Sequence, residues 1–239
     1  MRRLDAGNAG PKHGRMTASS PFIPAAVPQP LADDAVHIWL MPLDAGAGPA
    51  AAQAATTRAN VFLCSMLSLY LGREIAPHDF VRGEFGKPAL REPGRLGFNL
   101  SHCGRAAVVA LALDVDVGVD IEWLGGRERP YAAMARRYFR GEEADWIAAQ
   151  PADRMQKAFL DLWTAKEAVL KATGRGIAFG LDRLRFSIEG GMPARLAAIE
   201  PPAGPASEWQ VHALRPSADF AGAVAWRGPA RRLALFEAG

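Results

Sequence analysis

The chain has 239 residues, about half of them apolar and 22% charged, with a formal net charge of +3. That length suits one large domain or two modest ones, the composition is that of a globular chain, and so small a charge excess makes no case for nucleic acid. No run of about 20 apolar residues is present to span a membrane, and the two cysteines, Cys64 and Cys103, lack paired spacing, so free thiols in a cytoplasmic protein are the expectation.

Arg2 and Arg3 are followed by no apolar stretch, so no secretory signal is expected. Residues 1–34 are rich in Gly, Pro, Ala and Ser without periodicity and read as a disordered tail, with Met16 as an alternative start. Residues 35–41 hold no acid, Lys or Arg and read as the first strand. Residues 44–57 are nearly uncharged and read as loop running into a helix over 58–71, whose apolar side carries Val61, Phe62, Met66, Leu69 and Tyr70 and which Gly72 stops. Residues 83–90, with two glycines and a proline, are turn-like. Strands at 96–102 and 106–113 flank the Cys103-Gly104-Arg105 turn, and Asp114 and Asp116 shape the next one.

A strand at 116–122 opens the second half. Helices are expected at 130–139, 142–149 and 154–173, then strands at 182–188, 208–214, 221–226 and 232–236. The fold class is therefore α+β, in two related halves of helix plus antiparallel strands, 35–117 and 118–239, with the active site in the cleft between them.

Two stretches carry chemistry. Asp120 and Glu122 are two apart on a strand and share a face. Glu167 and Lys171 are i,i+4 neighbours on a helix whose core stripe is Met155, Phe159, Leu162, Trp163, Lys166 and Leu170. Lys166 lies in mid-stripe, where it must snorkel outward or find an anion. If the two faces meet, three carboxylates converge beside a lysine, and oxygen ligands of that kind suit Mg²⁺ and the handling of phosphates. Taken singly, each pair reads as an ordinary surface feature, and His102 as a capped, neutral core histidine.

Four motifs in order change that reading: Gly86-Lys87-Pro88, Phe98-Asn99-Leu100-Ser101-His102, Val117-Gly118-Val119-Asp120-Ile121-Glu122, and Leu162 to Ala168 with Lys171. Over residues 86–171 the chain resembles the 4′-phosphopantetheinyl transferases, specifically the larger, monomeric, surfactin-type class, and more loosely so to about residue 226. The resemblance implies transfer of the phosphopantetheine arm of coenzyme A to a serine of an apo carrier protein, releasing 3′,5′-ADP. It implies that Asp120, Glu122 and Glu167 hold Mg²⁺, that Glu167 also deprotonates the serine, and that Lys171 contacts the pyrophosphate, making Glu167, Lys171 and Asp120 the catalytic set. Lys87 and Pro88 then lie at the adenosine end of coenzyme A, with Ser101 and His102 as phosphate contacts.

One departure stands out. The family places basic residues on the approach to its early helices, whereas residues 43–57 here contain no Lys or Arg. Arg58 is the first, and is carried over as a phosphate ligand. Carrier proteins are acidic around the modified serine, so their docking face should be basic with apolar anchors. Arg127, Arg129, Arg136, Arg137 and Arg140 fit, with Tyr131, Met134, Tyr138 and Phe139 among them; Arg136, Arg137, Phe139 and Arg140 are the leading candidates. The rival readings are a non-catalytic module that binds coenzyme A or a carrier protein, and a Mg²⁺-dependent nucleotide phosphohydrolase.

Overall fold

The computed structural model describes residues 22–25, 29–43, 46, 48–126 and 128–238. The reading of residues 1–21 as disordered, the alternative start at Met16 and the place of Arg127 lie outside the described residues.

The described helices and strands of the first half come first, with the acid-bearing strand and the helix after it. They are β1 (Ile23–Ala25), β2 (Ala35–Pro42), α1 (Pro49–Leu71), a hairpin of β3 (Phe80–Arg82) and β4 (Pro88–Leu90), β5 (Leu96–His102), β6 (Ala106–Leu113), β7 (Val117–Trp123) and α2 (Tyr131–Tyr138). Then come α3 (Gly141–Ala148), α4 (Ala152–Ala172), the hairpin β8 (Leu184–Glu189) and β9 (Met192–Ile199), β10 (Trp209–Leu214), β11 (Phe220–Arg227) and β12 (Arg232–Ala238). One sheet has the order β1-β12-β2-β6-β5 and the other β10-β11-β7.

Strand alternation stacks these elements in four layers. Along β2, Val36, Ile38 and Leu40 face β7 and β11 of the other sheet, meeting Val119, Ile121, Val224 and Trp226. His37 and Trp39 point the opposite way, and Trp39 packs with Phe62, Leu63 and Leu67 of α1. On the far side, Phe159, Leu162, Val169 and Leu170 of α4 cover Ala221, Ala223 and Ala225 of β11. The order is helix, sheet, sheet, helix, an α+β arrangement.

Several expectations are corrected here. Helix α1 begins at Pro49, not Arg58: proline suits the first helical turn, where its missing N–H is no loss, and the alanine-rich run behind it favours helix. Its buried side is Ala55, Ala59, Phe62, Leu63, Met66 and Leu67, while Val61 and Leu69 face outward. The expected tail contains a strand, since Ile23–Ala25 pairs in parallel with β12. Strand β12 in turn pairs with β2, so the last strand of the chain completes the sheet of the first half. The turn-like 83–90 stretch supplies the loop and second strand of the β3–β4 hairpin. Strand β9 was not expected: Pro193 and three alanines make a weak strand signal, and its pairing with β8 is irregular in register. Both cysteines are free, and Asp114 turns the chain with a positive φ of 56°.

Candidate active site

Helix α4 lies directly on β7, and Gly118 permits it. A Cβ at Gly118 would stand 2.0 Å from the Ala168 carbonyl oxygen and 2.4 Å from the Ala172 nitrogen, so any side chain would push the helix away. Asp120 and Glu122 share the parity of Gly118 and therefore face the same helix. Glu167 and Lys171, each one residue before the alanines touching Gly118, come down over them.

Lys171 Nζ donates to Asp120 Oδ1 at 2.6 Å, to Ser101 Oγ at 3.0 Å and to the Val119 carbonyl at 3.2 Å. The Ser101 hydroxyl in turn donates a hydrogen bond to Asp120 Oδ1 at 2.8 Å. A strand end from the first half, β7 and α4 thus meet at one carboxylate. Asp120 and Glu167 are both 5% exposed, and Asp120 Oδ2 and Glu167 Oε1 have no hydrogen-bond partner among the described residues.

Burial makes these charges costly. It raises Glu122 to about 7, with the Asp120 charge adding to the effect and Lys171 and Arg129 opposing it. Burial likewise raises Glu167 to about 7, reinforced by Asp120 and Glu122 against Lys171. The Asp120 charge thus works against both glutamates, and the Glu122 charge against Glu167. His102, at the end of β5, is shifted down by burial and then by the Lys171 charge, which favours the neutral imidazole.

Beside this cluster is a cavity of roughly 650 Å³, lined by Lys87, Pro88, Gly97, Val115, Asp116 and Gly174 among others. Lys87 Nζ reaches Asp116 Oδ1 and the Val117 carbonyl, each at 3.3 Å, and burial lowers its pKa against the pull of Asp116. Val117 and Asp120 are about 10 Å apart along the strand, so Lys87 and the carboxylates stand at two places along β7.

A model of the 4′-phosphopantetheinyl transferase superfamily matches residues 116–225. The 4′-phosphopantetheinyl transferase HetI of a Nostoc species is 34% identical over 226 residues, 83% of this chain and 90% of HetI. The chain belongs to the 4′-phosphopantetheinyl transferase superfamily. Psf-1 of Bacillus pumilus is 40% identical over 119 residues, 49% of either chain. Sfp of Bacillus subtilis is 29% identical over 128 residues, 53% of this chain and 55% of Sfp. The match therefore spans about half the length of these two transferases.

In this transferase, Asp120, Glu122, Glu167, Lys171 and Ser101 come together, with His102 next to Ser101 on β5, and Lys87 and Pro88 line the neighbouring cavity. Arg58 does not join them: it is exposed on α1 and does not line the cavity. Phe139 is corrected as a docking anchor. It is 5% exposed, stacks on Phe159 at 5.1 Å, and lies under the Lys166 ammonium. Arg136 and Arg137 are exposed, whereas Arg140 is half-buried and paired with Glu200 at 3.1 Å.

The donor chemistry of the three carboxylates fits a hard cation, and two of their buried oxygens have no partner among the described residues. Among the described residues no three acidic, His or Cys side chains already stand at the spacing of one ion. The charge facing Asp120 is the Lys171 ammonium.

Two residues escaped the sequence reading. Asn99 accepts the Val119 N–H at 2.9 Å, joining the two halves; its signal was parity with Ser101 on an otherwise apolar strand. Glu143 is the anion that Lys166 demands, at 2.6 Å, and only the mid-stripe lysine hinted at it.

Proposed function

We propose that this transferase moves the 4′-phosphopantetheine group of coenzyme A onto a serine of an apo carrier protein, releasing 3′,5′-ADP, in the manner of the surfactin-type class. The observation that carries this reading is the Asp120–Ser101–Lys171 cluster with Glu122 and Glu167 beside it, about 10 Å along β7 from the cavity that Lys87 lines. A pyrophosphate with an adenosine on one side would engage both places. The adenosine end fits the cavity at Lys87 and Pro88, and the pyrophosphate fits the Lys171 end, within reach of Ser101 and neutral His102.

The chemistry follows from these positions. The carrier serine oxygen forms a bond to the β-phosphorus as the bond from that phosphorus to the oxygen of 3′,5′-ADP breaks, and the leaving oxygen takes the electron pair. Glu167 is the base that takes the hydroxyl proton, one of its oxygens having no hydrogen-bond partner among the described residues. Lys171 supplies positive charge where the leaving phosphate develops negative charge. Asp120, Glu122 and Glu167 would hold Mg²⁺ after side-chain rotation, and the ion, when bound, offsets the charge of the pyrophosphate.

The exposed Arg136 and Arg137 on α2 offer a basic approach for an acidic carrier protein. Among the described residues no helix is long and apolar enough to cross a membrane, and we place the enzyme in the cytoplasm as a monomer.

The test is the intact mass of a purified apo carrier protein after incubation with the enzyme, coenzyme A and Mg²⁺. The reading predicts a gain of one phosphopantetheine, absent with EDTA and absent on a carrier whose serine is replaced by alanine. Coenzyme A consumed without any carrier would point to a phosphohydrolase. Coenzyme A left intact on several unrelated carriers would point to a binding module.

A further inference from the structure

Among the described residues, strand β7 is the outer strand of its sheet, laddered to β11 alone. In antiparallel pairing, alternate residues turn both N–H and C=O toward the unpaired edge, and here that edge, at Val117 and Val119, faces β5. Side chains satisfy it in place of a strand. Lys87 binds the Val117 carbonyl, Lys171 binds the Val119 carbonyl, and Asn99 accepts the Val119 N–H at 2.9 Å. The partner is an N–H, so the acceptor must be the amide oxygen of Asn99, which fixes the orientation of the side chain.

Two of these three groups are cations that also bind Asp116 and Asp120. On the functional reading above, both have a second task on the phosphates of coenzyme A. Asn99 is uncharged and buried, and it stays when the lysines turn to substrate. Its neighbours on β5 show what it holds. Gly97, Asn99 and Ser101 share one face. A Cβ at Gly97 would stand 2.1 Å from the Val115 carbonyl, so backbone meets backbone there, while Ser101 bonds Asp120. The backbone leading into Asp120 is thus held on both edges of β7: β11 pairs on one side, where Asp120 lies opposite Ala223, and Asn99 holds the Gly118–Val119 peptide through its N–H on the other.

We propose that Asn99 is a positioning residue for the transfer: it holds the free edge of β7 so that Asp120 keeps its alignment with Ser101 and Lys171 through the reaction. This rests on the functional reading, and the experiment separates the two. Asn99→Ala removes the acceptor, and Asn99→Leu removes it at nearly constant size in case the alanine variant does not fold. Asn99→Asp retains an oxygen at the same reach. Amide exchange at Val119 reads the bond itself; it should be protected in the wild type and in Asn99→Asp and should accelerate in the other two.

In the mass-gain assay, Asn99→Ala or Asn99→Leu should lower kcat about tenfold with KM for coenzyme A within about twofold, and Asn99→Asp should recover most of the loss. On a Ser101→Ala background the same substitution should cost less than about threefold, because the alignment it protects is already gone. A folded Asn99→Leu enzyme with wild-type kcat, or one whose penalty is undiminished by Ser101→Ala, overturns the proposal. A wild type that modifies no carrier takes down the functional reading, and this proposal with it.

Discussion

Helix α4 carries the fully buried Lys166 and the part-buried Lys171, each 2.6 Å from a carboxylate, and the two sites differ in what is left over. The Lys166 ammonium donates to Glu143 Oε2 and to the carbonyls of Leu181 and Leu184, at 2.9 and 2.8 Å. Glu143 in turn accepts the backbone N–H of Phe186 on one oxygen and that of Arg140 on the other. Every charge is answered, and the pair pins α3, α4 and β8 together. Around Lys171 the sums do not close. Three carboxylates face one ammonium, two of their oxygens have no partner among the described residues, and two of the acids are raised to about 7. A closed network is what a scaffold needs, and an open one with surplus negative charge is what a cation and a polyphosphate would complete.

This contrast can be broken most severely at Glu167. Glu167→Gln should lower transfer by about 10²- to 10⁴-fold, as loss of a general base does, while the metal-free protein melts no lower at pH 8 than the wild type. Parallel activity and calorimetry runs decide it; a large drop in melting temperature would mean that the carboxylate is part of the scaffold. The opposite pattern is expected at the closed site. Lys166→Ala leaves Glu143 buried and unpaired and should cost about 3–5 kcal/mol in urea unfolding.

The titration of the open site sharpens the comparison further. Glu122 and Glu167 have folded values of about 7 against an ordinary 4.5. Between those values the folded state holds protons that the unfolded chain has lost, so their contribution to stability is present at low pH and is lost as pH rises toward 7. His37, His102 and His212 are shifted down by burial and act in the other direction near pH 6.5. The quantity to measure is therefore the difference in metal-free stability between wild type and a Glu122→Gln/Glu167→Gln double variant. It should move against the wild type from pH 5 to pH 8. A difference that does not change with pH would contradict the assignment. The smallest effects belong to the adenosine end. Lys87→Ala should raise KM for coenzyme A about tenfold, the scale of one charged hydrogen bond, and Arg58→Ala should change it less than about twofold.

The same two sites show what the sequence could reveal. Asp120 with Glu122, and Glu167 with Lys171, follow from periods of two and of about four, so local geometry alone put each pair on one face. That the faces meet depends on Gly118, which was visible as a letter in a motif but whose meaning is a close approach of helix to strand. Lys166 announced a need for an anion because an uncompensated ammonium in a core stripe is untenable. Its partner lies on another helix, and no local rule identifies Glu143. Asn99 was equally hidden, since its bond crosses between sheets. Phe139 misled for the reverse reason: an aromatic residue among arginines looks like a surface anchor, yet it covers Phe159 from within. Strand β12 reads as a strand in sequence, but only the assembled fold shows that it pairs in the first sheet, between β1 and β2.

The central claim is that the open cluster around Asp120 is where transfer happens, and Asp120→Ala tests it most directly. Purified variant and wild type would be compared by carrier-protein mass gain with coenzyme A and Mg²⁺, alongside calorimetric binding of the apo carrier protein. The account predicts no phosphopantetheine added by the variant and carrier binding unchanged. A variant that still modifies the carrier at a rate near that of the wild type would contradict it.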